Sequence, residues 1–90
     1  MSAARRFALP AGLVRDRLPE VRRALLALLA QGGSLTVDAA SVLEVDGPGV
    51  QLLLALAKEA RARGVELRVT NRSAALEAAL AAHRAESLLP

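Results

Sequence analysis

Leu35-Thr36-Val37-Asp38-Ala39-Ala40-Ser41-Val42-Leu43-Glu44-Val45-Asp46-Gly47-Pro48-Gly49-Val50 is the stretch on which the fold turns. With Ser34 before it, the first part alternates apolar and polar with period two, which reads as a strand over 34–38. Val42 to Val45 is apolar and extended, with Glu44 breaking the run. After Asp46-Gly47-Pro48-Gly49 the period changes: Val50, Leu53, Leu54, Ala57 and Ala60 fall on one helical face. Arg61 and Arg63 stand where the helix dipole favours cations, and Gly64 supplies a left-handed stop. A strand, a glycine–proline turn and a helix therefore follow one another within thirty-one residues, 34–64.

Working outward, Val65 to Thr70 alternates strictly and reads as a second strand with one face on helices and the other partly wet. Asn71-Arg72-Ser73 is a turn, and Ser73 caps a third helix through Leu76, Ala79, Leu80 and His83, with a final apolar turn at Leu88-Leu89. On the other side, Leu18, Val21, Leu25, Leu28 and Leu29 recur at helical spacing, with Asp16 as the expected cap and Pro19 in the first turn. Gln31-Gly32-Gly33 stops that helix, and Arg6 to Leu9 suits a short edge strand that Pro10 ends. Helix, strand, helix, strand, helix with short connections argues for an α/β layer structure. The strands joined through helix 48–63 should be parallel, with a right-handed crossover. No composition shift marks a boundary, so residues 1–90 read as one domain.

The 9.4 kDa chain of 90 residues would bury about 63 per cent of its extended surface, enough for one small core. Alanine (20), leucine (18) and valine (8) make up nearly all of the apolar residues, and Phe7 is the one aromatic, so a stacking platform for bases or sugars is excluded. Without cysteine there are no disulfides, thiolate metal sites or thiol nucleophiles. The longest apolar run, Ala24 to Ala30, is seven residues, far short of the roughly 20 that span a bilayer, and the charged start resembles no secretory signal. A cytoplasmic protein without direct membrane insertion is expected. Net charge is +4 over residues 1–33, −3 over 34–60 and +2 over 61–90, so the middle of the chain is acidic. A nucleic-acid stripe needs the opposite there, and no nucleic-acid partner is expected. Arg15, Arg17, Arg22 and Arg23 form at most a local basic patch on a solvated helix face.

The glycine-rich turn is neither a dinucleotide fingerprint, since Leu52 stands where a third glycine is required, nor a P-loop, since Lys58 is the sole lysine and lies mid-helix. His83 is the only histidine and has no partner set for a metal, so no metal site and no cofactor are expected. Asp38, Glu44 and Asp46 could gather near one another, but acid–base work needs a cleft, and Asp46 is better explained as a helix cap. Two readings of Gly47-Pro48-Gly49 stay open: a tight strand-to-helix turn, or an exposed helix start whose free N–H groups meet a partner.

The same stretch resembles the signature of STAS domains, the fold of bacterial anti-sigma factor antagonists, roughly Leu-Asp-Leu-Ser-x-Val-x-x-Ile-Asp-Ser-Ser-Gly-Leu. Asp38 and Asp46 match its two aspartates, Val42 and Val45 its apolar positions, and Gly49-Val50 its Gly-Leu. The resemblance covers about residues 7–89 and implies a small sheet of mixed strands with helices packed mainly on one face. Family members commonly begin with two strands, where this chain has room for one.

In family members switched by a kinase, a hydroxyl residue follows the second aspartate. Here the equivalent positions are Gly47 and Pro48, neither of which can accept a phosphate, and Ser41 and Thr36 lie too early to replace it. Gly49 to Leu56 looks more like the small stand-alone STAS proteins of the MlaB type, which include a subunit of a phospholipid-transport ABC complex and relatives associated with chemotaxis proteins. The resemblance implies protein binding rather than catalysis, with an anti-sigma factor or kinase, a chemotaxis signalling protein or an ABC ATPase as partner. A helical projection puts Gln51, Ala55 and Lys58 in water and Leu52 and Leu56 on a flank beside the turn, unless segment 84–90 covers them. The expected partner surface is Asp46, Gly47, Pro48, Gly49, Gln51, Leu52 and Leu56. Self-association through Ala24–Ala30 to a homodimer is left open by the sequence.

Overall fold

β3 (Ser34–Asp38) is the central strand of a parallel sheet, flanked by β1 (Ala4–Ala8) and β5 (Glu66–Thr70). The computed structural model describes residues 4–90. A short parallel ladder joins β2 (Gly12–Leu13) to β4 (Glu44–Val45). Helices α1 (Leu18–Leu29), α2 (Gly47–Arg63) and α3 (Ala74–Ala82) complete the fold, with single 3-10 turns at Arg15–Arg17 and Glu86–Leu88.

The sheet divides by alternation. Val37 pairs with Val69 and with Phe7, and Leu35 with Leu67; the aliphatic side chains of these pairs are buried. Thr36 pairs with Arg6 and Arg68 on the opposite face, where both arginines are exposed. Both crossovers, through α1 and then α2, run in the same direction across the sheet order β1-β3-β5, so a common hand places both helices on the buried face. Leu25 and Leu29 from α1, and Val50, Leu53 and Leu56 from α2, close the core with it. Every buried side chain among the described residues is aliphatic.

Three sequence expectations change. The mixture of strand directions is absent among the described residues, where all three strand pairings are parallel, because each strand returns to its neighbour through a crossover rather than a hairpin. The N-terminal region holds two strands rather than one, the second only two residues long and too short for any period to reveal it. Asp16 does not cap α1: it lies within the preceding 3-10 turn, and Arg17 takes the cap position without a side-chain bond.

Along β5 the chain's last residues cover the edge: Val69 N–H donates to the Pro90 carbonyl at 3.1 Å, and Arg72 Nη2 donates to the Leu89 carbonyl at 3.0 Å. Leu89 is buried there, while Leu88 points outward.

Candidate functional site

The start of α2 is held from three directions. Asp46 is its cap, with extended backbone, and Oδ1 accepts the Gly49 N–H at 2.8 Å. Oδ2 accepts the Arg15 N–H at 2.9 Å, tying the chain that follows β2 to the turn. Asp46 N–H in turn donates to the Leu13 carbonyl at 3.4 Å. The Arg15 amide is the main reason the Asp46 carboxyl is held below its usual 3.8; partial desolvation opposes it, and the Gly49 amide reinforces it.

Gly49 is buried against that same Leu13 carbonyl oxygen, and a Cβ at this position would collide with it and lie 3.2 Å from Val45 Cγ1. Only glycine lets the first turn of α2 approach the β2–β4 ladder this closely. Pro48 occupies the first helical turn, where its missing N–H costs nothing. Gly47 has the His83 ring beside it, with Cε1 3.6 Å from where a Cβ would stand, because α3 packs on β4 and delivers its C-cap residue to the turn.

The expected surface therefore splits into two layers. Gln51 is exposed, and Asp46, Gly47, Pro48 and Leu52 are half-buried around the turn. Gly49 and Leu56 lie beneath, Leu56 being only 5% exposed. The expectation that Leu56 lies open on a flank is corrected. It lines a groove with Leu25 and Leu26, so α1 covers it rather than segment 84–90, which packs further along α2 near Ala57, Ala60 and Arg61. Leu54 and Ala57, expected to face the sheet, are half-buried at the margin of the core.

Two neighbours of the turn escaped sequence reasoning. Leu43, hidden in an apolar run that reads as strand, is 73% exposed immediately before β4. His83 reads as an isolated residue in the sequence, because nothing there signals that α3 ends at the α2 turn.

Asp38 lies apart from this arrangement, at the end of β3. Oδ1 accepts the Ala40 N–H at 2.9 Å, and Oδ2 pairs with Arg6 Nη2 at 3.0 Å. The Ala40 amide, then Arg6, hold its carboxyl below 3.8 against a smaller desolvation effect. Among the described residues no group of three His, Asp or Glu side chains is placed to hold a metal ion, and no helix is long and apolar enough to cross a membrane.

The family model described as Mlab, STAS domain matches residues 4–90. The chain belongs to this MlaB-like STAS family and has its fold. Members of the family are in general interaction modules that bind other proteins. No curated protein and no solved structure gives a significant match.

Proposed function

We propose that this STAS chain is a non-catalytic, cytoplasmic protein-binding module of bacterial regulation, resembling an anti-sigma factor antagonist whose docking is not switched by phosphorylation. One observation carries the reading: the turn that opens α2 presents Gly47 and Pro48 where a phosphate acceptor would be needed, on a backbone pinned by Asp46 and by the contact of Gly49 with Leu13. With no hydroxyl to modify and no loop to reorder, binding is constitutive. The contact surface is Asp46, Gly47, Pro48, Gln51 and Leu52, widened by Leu43; Gly49 and Leu56 support it from below.

Membership of an MlaB-like family favours a second partner class: the ATPase of a phospholipid-transport ABC complex. Affinity purification from soluble and detergent-solubilised membrane fractions, with the wild type and with Gly47→Arg and Leu52→Glu variants, tests both. The wild type should retain a partner that folded variants lose, at a cost of a few kcal/mol if the turn is a hot spot. Full retention by both folded variants overturns the assignment. An anti-sigma kinase or chemotaxis protein selects signalling; an ABC ATPase with its permease selects transport.

A further inference from the structure

The outer surface where α1 meets α2 is apolar at its floor and cationic along one side. A groove of about 90 Å³ runs between the helices, lined by Leu25, Leu26, Leu52, Ala55 and Leu56, with Arg22 on one bank and Glu59 on the other. It continues without a break onto a shallow depression over α1, formed by Leu18, Pro19 and Leu26 and ringed by Arg15, Arg22 and Arg23; Arg22 and Leu26 belong to both.

Charge on this surface is one-sided. The Arg22 and Arg23 guanidinium groups make no ion pair or hydrogen bond among the described residues. Glu59 does not balance them, because Arg63 Nε holds it at 2.9 Å. Glu20 lies on the other flank of α1, beside Phe7, Arg17 and Val21. Two unpaired cations beside half-buried leucines are complementary to a ligand that brings carboxylates and aliphatic side chains together. The concavity between two helices fits a third helix better than the flat surface of a bilayer.

We propose that the α1–α2 groove docks an acidic amphipathic helix of a protein partner, its aliphatic stripe against Leu26 and Leu52 and its carboxylates against Arg22 and Arg23. This rests on the reading of the chain as a protein-binding module and gives it a second surface, which meets the α2 turn at Leu52 and at Arg15, whose N–H bonds to Asp46.

The test uses a synthetic helical peptide with leucines at i, i+3, i+4 and i+7 flanked by glutamates, and a counterpart with lysine in place of every glutamate. Binding is read by fluorescence anisotropy and by amide chemical-shift changes. The glutamate peptide should bind, shift Leu18, Leu26, Leu52 and Ala55, and weaken about tenfold when salt rises from about 0.05 to about 0.3 M. The lysine peptide should not bind. Arg22→Glu with Arg23→Glu should weaken binding about tenfold or more with the circular dichroism spectrum unchanged, and the milder Arg22→Gln should weaken it less. Gly47→Arg should leave it intact, which separates failure here from failure of the turn assignment. No binding, equal binding of both peptides, or indifference to the arginine variants overturns the proposal. So does tighter binding through α1 to phosphatidylglycerol vesicles than to the glutamate peptide, which would make the surface a membrane contact.

Discussion

Asp38 and Asp46 stand eight residues apart, one ending β3 and the other following β4, and both are held in the charged form by hydrogen bonds. They do different things. Asp46 receives two main-chain amides from separate segments, Arg15 and Gly49, so one side chain fixes where the loop after β2 lies beneath α2. Asp38 receives one amide from its own loop, and its other donors are exposed side chains, Arg6 at 3.0 Å and Asn71 Nδ2 at 3.4 Å. Main-chain donors are already ordered, Arg15 by its 3-10 turn and Gly49 by α2, whereas long side chains lose rotamer freedom to make the same bond in water. A matching residue in a matching place thus builds a turn in one case and trims a sheet in the other.

If the turn depends on this close approach, the largest effect belongs to the glycine that permits it. Gly49→Ala should cost about 3 kcal/mol in urea unfolding, because the obstacle is main-chain carbonyl oxygen rather than a side chain that can swing away. Asp46→Ala comes next: it removes the cap and the tie to Arg15, and should lower Tm by several degrees in calorimetry. Asp38→Ala should lower it clearly less, and equal losses would break the contrast. Arg6→Ala should leave Tm unchanged within error, since its side chain is largely in water.

Acid sharpens the same contrast. Both carboxyls are held below 3.8 in the folded chain, so the unfolded chain binds more protons as the medium turns acid. Their contribution to stability is complete above about pH 5 and is lost as pH falls through the lowered folded-state values. Asp46→Asn, which retains an acceptor oxygen but cannot ionise, should flatten the fall in stability below about pH 5 more than Asp38→Asn does. The reverse order would show that the Ala40 amide and Arg6 stabilise the charge of Asp38 more than the Arg15 and Gly49 amides stabilise that of Asp46.

The period-two runs 34–38 and 65–70, the helical face beginning at Val50 and the glycine at 64 specified a parallel α/β unit from local pattern alone. The structure agrees, with α2 beginning at Gly47 and Gly64 in the left-handed region at φ 69°. Such signals are legible because a half-buried strand or helix must repeat its apolar residues at the period of its own backbone. The cap role of Asp46 was legible for the same local reason.

Tertiary structure alone decided the rest. A two-residue ladder at Gly12–Leu13 carries no period, yet it brings the Leu13 carbonyl under α2 and turns Gly49 from a flexible residue into an obligatory one. A helical wheel gives the angle of Leu56 about its axis but not that α1 packs over it, nor that α3 ends against Gly47. The sequence determined the layers and the turn, because those are set by neighbours along the chain. Which faces remained open for a partner was settled by contacts between residues far apart in sequence, whose positions no local pattern encodes.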